Sequence, residues 1–454
     1  MDRKSKTILT ILRRYVVPAL GCTEPVSVAL ASAAASRALG TPPEKMTLTL
    51  DRYIMRNAIA VGVPGTNSRG VAVAAALGAF AGDPDKALMV IEGASEDDIR
   101  RARTFVEQNR IAISVKPNAP GIYIRVDVEG GGHTASAVIE GTHDHLVEIG
   151  RNGEISFRDE AASSREEAWF EAFSEMTIAD AEQFARSVPL SEIEFMADGL
   201  VLTARARDVG LAEKAGLGYA TDLTALSGGF VEANVIARAR VEAAAASGAR
   251  MAGLPVPVIS SFGSGNQGIV INAAVGSVAR QQGYLAFPPE PVGAGKGGKA
   301  SSVDSIGPEF RDPVLRALCL AHLVTGITKT YTGILSPYCE AAVTTAGGAA
   351  TGCVRLLGGT TAEMENAFQL TVAGTEGVFC DGAKESCALK TSMGAGAAVE
   401  NAYLSMKGNS APRGMGIVGE DFLATLKNFR RLAKEIKLDD VILKMLIERN
   451  NGKD

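Results

Sequence analysis

The chain has 454 residues, 46% of them hydrophobic but only 5% aromatic, so its core must be built from Ala, Val, Ile and Leu, with Gly permitting close backbone approach. Its 46 Lys and Arg against 51 Asp and Glu leave a net charge of −5, and no basic block is long enough to form a stripe for nucleic acid or an anionic membrane. No segment reaches the roughly 18 uninterrupted apolar residues that span a bilayer, which leaves a small molecule as the default partner.

Along the chain, Ser5–Ala19 reads as an amphipathic helix. Lys4 and Lys6 precede an apolar run ending in Ala19-Leu20-Gly21-Cys22, but Arg13 and Arg14 interrupt it where a signal segment tolerates no charge, so the protein is expected to be cytoplasmic. Gly21-Cys22-Thr23-Glu24-Pro25 follows, with Pro25 able to begin the next helix, Pro25–Leu39. Met46–Asp51, Ala87–Ile91, Ile111–Val115, Gly121–Val128, Ser136–Ile139 and Leu146–Ile149 predict strands by alternation and β-branching, with Gly130-Gly131-Gly132 a turn. Ser68–Phe80 and Ser95–Gln108 predict helices, the second opened by a Ser cap and an acidic first turn. The polar stretch Arg151–Ser163 reads as a linker. Beyond it nearly everything is helical, including Ser164–Ser174, Thr177–Ser187, Asp222–Ala245, Asp312–Gly326, Thr361–Ala373 and Glu420–Ile436, with Thr360–Glu363 a further cap signal. The expected fold class is α+β. A mixed α/β unit with antiparallel strands occupies 46–155, and a larger, mostly helical catalytic domain occupies 165–454, with the helices of 1–45 packed on it.

The six cysteines, Cys22, Cys319, Cys339, Cys353, Cys380 and Cys387, are too sparse for a disulfide scaffold, so they are reduced thiols or metal ligands. Cys22, near a helix N-terminus, is placed for a lowered thiol pKa as a nucleophile, base or metal ligand, or else is a small buried residue. If Cys380–Cys387 were wholly helical, its two sulfurs would stand about 10.5 Å apart along the axis. Asp381-Gly382 indicates a turn instead, with Cys387 at the start of a helix, so both sulfurs can face one side. Cys339 follows Ser336-Pro337 at the mouth of an Ala-rich helix. Three such thiols suit a metal centre better than packing alone, whereas Cys319 and Cys353 read as core. None of His133, His143, His145 and His322 has ligand spacing to them, so the fourth ligand of a structural zinc site is lacking. Three thiolates holding a four-iron cluster would leave one iron open as a Lewis acid.

Ser260–Gly268 offers backbone N–H groups and the Ser264, Asn266 and Gln267 side chains to a carboxylate or amine, without the preceding strand or the spacing of a dinucleotide site. Gly293–Ala300 is one residue short of a P-loop, because Ala300 stands where Ser or Thr is required; it reads as a loop with a lid as one role. Arg56-Asn57 through Asn67 is a turn-rich stretch whose polar atoms face a ligand or, the favoured reading, cap the next helix; His143-Asp144-His145 reads as a solvated strand-edge turn in preference to an i, i+2 metal pair.

At these motifs the chain resembles the L-cysteine desulfidase family, relatives of the alpha chain of iron–sulfur L-serine dehydratases. The likeness rests on Gly21–Pro25, Gly263–Gly268, Tyr338-Cys339-Glu340 and Cys380–Lys390, and runs from the first residues to about Met406. It implies that Cys339, Cys380 and Cys387 ligate a [4Fe-4S] cluster, that Cys22 is the proton acceptor, and that sulfide is eliminated from L-cysteine to leave pyruvate and ammonia. Ser264, Gly265, Asn266, Gln267, Thr23 and Glu24 are the candidate substrate contacts. The Cys380–Cys387 gap is shorter than in the serine dehydratases, which favours the cysteine branch. An L-serine dehydratase with the same cluster is the alternative, and a non-catalytic iron–sulfur or thiol sensor the second. No lysine stands out as a Schiff-base anchor, so pyridoxal phosphate is not expected; a homo-oligomer is left open.

Overall fold

The computed structural model describes residues 1–116, 119, 121–159, 162–228, 231, 233–285, 306–436 and 438–450, so the 293–300 loop, with any lid role, lies outside it. Helix α1 (Arg3–Tyr15) starts where the Asp2 side chain accepts the Ser5 N–H. It ends earlier than its periodicity suggests, because Pro18 lacks the N–H a helix needs and Val16-Val17 are β-branched. Val16–Leu20 instead form strand β1, paired antiparallel with Pro257–Ser261 far along the chain. Helix α2 (Thr23–Leu39) begins directly after Cys22.

The elements that follow are β2 (Lys45–Leu50), α3 (Arg52–Ala58), the short hairpin β3 (Gly62–Val63) and β4 (Ser68–Arg69), α4 (Val71–Ala81), α5 (Glu96–Glu107), β5 (Ile111–Val115), β6 (Tyr123–Gly130), β7 (His133–Glu140), β8 (Leu146–Arg151) and β9 (Glu154–Arg158). They build a six-stranded sheet in the order β5-β2-β6-β7-β8-β9, parallel only between β2 and β5. Alternation along β6 turns Ile124, Val126 and Val128 inward, where they join α2, α4 and α5 in one buried cluster. Two expectations fail here. Ala87–Ile91 is no strand: Pro84–Met89 is a 3-10 turn capped by Asp83, and buried Leu88, Val90 and Ile91 supply the apolar run that imitates a strand. Part of the 151–163 linker is the hairpin strand β9, whose residues are all exposed and so carry no inward face to read.

The second half comprises α6 (Ala162–Phe173), α7 (Ile178–Ser187), α8 (Leu190–Ile193), α9 (Ala197–Ala212), α10 (Tyr219–Leu226), α11 (Val235–Ala252), β10 (Pro257–Ser261), α12 (Gly265–Gln281), α13 (Arg311–Thr332), α14 (Thr344–Leu356), α15 (Thr361–Thr375), α16 (Cys387–Ser405), α17 (Phe422–Glu435) and α18 (Leu438–Asn450). The single helix expected over Asp222–Ala245 is two, α10 ending at Leu226 and α11 starting after its cap Asn234, whose side chain accepts from Ile236 and Ala237. The architecture is thus α+β, as the pattern predicts. The N-terminal helices divide between its parts: α1 packs in the helical core with Phe173 and Phe262, whereas α2 packs beneath the sheet. Among the described residues no helix is long and apolar enough to cross a membrane.

Candidate active site

Six chain segments meet to make the site: the start of α2, the end of α3, the end of α11, the start of α12, and the loops that follow α13 and α15. Ser336–Ala342 and Val378–Ser386 are zipped together by backbone pairing. Cys339 N–H donates to Val378 O at 2.8 Å, Cys380 N–H to Pro337 O at 2.8 Å, and Tyr338 bridges Phe379. This brings Cys339 beside Cys380, and the turn through Gly382 returns the chain so that Cys387 opens α16, as its motif suggested. All three sulfurs line one cavity together with Cys22, Glu24, Ser264, Asn266 and Gln267. Thr23 and Gly265 lie behind this wall: Thr23 Oγ1 donates to Gly263 O at 2.9 Å, and Gly265 sits beneath Arg250.

The thiols are reduced and form no disulfide. Burial, then Cys380 and Cys387, push Cys339 up to about 12, and burial followed by Cys380 raises Cys387. Among the described residues the polar contacts of Cys380 and Cys387 are long, 3.9 Å to Asn57 Oδ1 and 3.9 Å to Gly382 O. Buried thiols that oppose one another's ionisation suit cationic ligation, which stabilises thiolate. Among the described residues no three His, Cys, Asp or Glu side chains converge to hold a single metal ion. A cubane places different demands, since each cysteine takes a different iron and the three stand around the cluster. Cys339, Cys380 and Cys387 on one cavity are donors of the chemical kind that a cluster takes. Lys390 donates to Phe379 O at 2.8 Å and to Asp381 at 2.6 Å, and Lys384 holds the other oxygen of Asp381 at 2.6 Å, which fixes this loop.

Cys22 caps α2 as expected, but its thiol is not lowered. Burial, then the Glu24 carboxylate, push it well above the ordinary thiol range and outweigh Arg250. Its Sγ donates to Glu24 Oε2 at 2.9 Å, and Asn57 Nδ2 donates to Glu24 Oε1 at 2.7 Å. Burial opposes the Glu24 charge, yet His143, the Cys22 S–H and the Asn57 amide together hold its pKa below the usual value. The site thus pairs a buried thiol with a carboxylate held by hydrogen bonds on both oxygens. Asn57 does not cap the following helix, which starts at Gly70 without any side-chain cap. Nor is His143 solvated: it is 3% exposed, presses on Gly263, and burial lowers its pKa. His145 pairs with Asp159 at 2.9 Å.

The Ser260–Gly268 segment proves to be strand, turn and helix. β10 does precede it, and Gly265, Asn266 and Gln267 form the first turn of α12, with Ser264 as a cap that makes no side-chain bond. Cys319 and Cys353 are core residues of α13 and α14, as read from sequence. Two polar groups of the wall escaped sequence reasoning, Arg250 and Lys329, while Glu340 entered it only as part of the Cys339 motif. Lys329 Nζ meets the Glu340 carboxylate and donates to Ile334 O at 2.7 Å, and Gln267 Nε2 donates to Glu340 at 3.2 Å. Burial pulls the Lys329 ammonium down to about 7. No local pattern singled them out, because α11 and α13 carry several other charges besides Arg250 and Lys329, and Glu340 stands in a loop.

A family model described as serine dehydratase alpha chain matches residues 85–443. That stretch contains Cys339, Cys380 and Cys387 but begins beyond Cys22, Glu24 and Asn57, so this match reaches less far toward the first residues than the motif likeness suggested. Relatives align over nearly the whole chain. A UPF0597 protein of Caldanaerobacter subterraneus is 34% identical over 451 residues, covering 98% of this chain and 100% of its own. UPF0597 proteins of Clostridium tetani (32% over 447 residues; 98% and 99% covered) and Oleidesulfovibrio alaskensis (34% over 448; 97% and 97%) are similar in the same way.

Proposed function

The chain belongs to the serine dehydratase alpha chain family, and from that premise we propose that it is an iron–sulfur lyase removing the β-substituent of a small L-amino acid, with L-cysteine as substrate. The products are sulfide, ammonia and pyruvate. The observation that carries this reading is the convergence of Cys339, Cys380 and Cys387 on the cavity that also holds Cys22 against Glu24. A four-iron cluster held by those three cysteines would supply a Lewis-acidic iron that makes the β-substituent a better leaving group.

The protein's own groups handle the proton. Cys22 becomes a base as its proton passes to Glu24 while Sγ takes the α-proton of the substrate. The C–H electron pair forms the Cα–Cβ double bond, and the Cβ–S bond breaks with its pair on sulfur, which departs as hydrosulfide. The aminoacrylate tautomerises to the imine, and water hydrolyses that to pyruvate and ammonia. Asn57 keeps Glu24 oriented, and burial of the pair excludes water from the transfer. Free thiols and an oxidation-sensitive cofactor suit a reducing, cytoplasmic compartment.

The family description favours L-serine, with hydroxide leaving and every side chain in the same role; the short Cys380–Cys387 gap favours L-cysteine. Anaerobic purification with iron and sulfide analysis, then pyruvate assays on both amino acids, tests the choice. About four irons per chain with both products from L-cysteine is the expected result. Activity on L-serine alone moves the assignment to the sister reaction, iron without turnover makes the protein a sensor, and absence of iron after reconstitution overturns the scheme.

A further inference from the structure

Three cations line the cavity, and two are committed. Lys329 is spent on Glu340 and Ile334 O, and Arg56 donates to Asn57 Oδ1 at 3.1 Å and to Ser336 O at 3.4 Å. Arg250 differs. Its Nε donates to Gly21 O at 3.0 Å and its Nη1 to Asn266 Oδ1 at 3.0 Å, which leaves one nitrogen over. Its Nη2 is buried without a partner among the described residues, and the whole residue is 1% exposed. A guanidinium so deeply buried with one nitrogen left without an acceptor carries a desolvation cost that a bound anion would offset. The fold makes room for it: a β-carbon on Gly265 would come within 2.5 Å of Arg250 Nε, so α12 starts with the residue that leaves the space.

A second orphan of opposite sense lies on the same wall. Gln267 Oε1 is buried and unpartnered among the described residues, with its Nε2 held by Glu340 so that the amide cannot turn. The uncapped first turn of α12 adds N–H groups beside Arg250. A buried lone cationic donor and a buried lone acceptor on one turn of wall are the complement of a zwitterion.

We propose that Arg250 is the receptor for the substrate's α-carboxylate, with Gln267 Oε1 open to the α-ammonium; the identity of the amino acid, though not the carboxylate site, rests on the lyase reading. Because Arg250 also holds the carbonyl of Gly21, a carboxylate bound to it sets the substrate Cα beside Cys22, the next residue. The site then admits α-amino acids and discriminates against the corresponding amines, which lack the carboxylate.

The test is calorimetric titration of the anaerobically reconstituted protein with L-alanine, which carries both charges but no leaving group, and with L-alaninamide, which lacks the carboxylate. Wild-type protein is expected to bind L-alanine about tenfold or more tighter than the amide, the worth of one charge-assisted hydrogen bond. In Arg250→Gln that ratio falls to near one. Should Arg250→Gln fail to fold, Asn266→Asp decides: it keeps the size of the side chain, gives the guanidinium an internal carboxylate, and should abolish the ratio equally. A wild-type ratio near one, no binding of either ligand, or a ratio retained in a folded variant overturns the proposal. The expected ratios without turnover of L-cysteine or L-serine would uphold the carboxylate site and overturn the lyase reading.

Discussion

Cys22 stands where a helix dipole favours thiolate, yet burial and the Glu24 carboxylate at 2.9 Å push its pKa up. Desolvation in a closed site outweighs a terminal dipole, whose effect is modest and falls off within a turn. On the proposed mechanism Glu24 is therefore as necessary as Cys22. Cys22→Ala is expected to retain iron and the visible absorbance of the cluster while turnover falls by about 10²–10⁴-fold, as read in paired iron and pyruvate assays. Glu24→Gln, which keeps the size of the side chain but removes the proton acceptor, should lose activity to a similar degree, again with iron retained. Cys380→Ala should do the reverse and lose iron first; full iron content in that variant would remove Cys380 from the ligand set.

At the level of elements, capping chemistry and the edge strand β5 were legible, whereas β1 and β9 were not. Ser95 with Asp98 and Thr360 with Glu363 form reciprocal caps at the starts of α5 and α15, where the sequence places them. β9 was invisible because all its residues are exposed, and β1 was hidden inside a helical periodicity. The contact between β10 and α12 determines the cavity wall, because the turn joining them carries Ser264 and the helix carries Asn266 and Gln267. A β-carbon on Gly268 would come 1.8 Å from Ile259 O, so the two elements meet backbone to backbone. Gly268→Ala should therefore lower stability by about 1–3 kcal/mol, visible as a reduced denaturant midpoint. It should also weaken L-alanine binding by displacing α12 from Arg250.

For the whole molecule, the helical core contains a pH-dependent term. His322 is fully buried on α13, with Nδ1 2.9 Å from Ser261 Oγ of β10, and burial pulls its pKa down to about 3. The folded value lies below the unfolded one of about 6.5, so between them the unfolded chain binds a proton that the folded one refuses. Stability from this group is present above about pH 6.5 and is lost as pH falls toward 3, with a slope approaching 1.4 kcal/mol per pH unit, roughly, for one group. Asp51, raised by burial to about 6, acts in the opposite direction as it protonates in the fold first. The difference between wild type and His322→Gln isolates the histidine. Denaturant midpoints of wild type should fall more steeply than those of the variant between pH 7.5 and 5, and parallel curves would refute the assignment.

Sequence by itself determined the α+β class, most helices, the thiols worth separating from Cys319 and Cys353, and the placement of Cys22 and Cys387 at helix starts. Those features are written in local periodicity, capping residues and turn signals, which act over a few positions. Only the tertiary structure decided that loops after α13 and α15 zip together, that Glu24, Asn57 and Cys22 share one buried network, and that Arg250 and Lys329 reach the same cavity. Such convergence joins residues hundreds of positions apart, and burial then reverses the charge behaviour that each motif has alone. Desolvation belongs to the packed molecule, and no local stretch of chain encodes it.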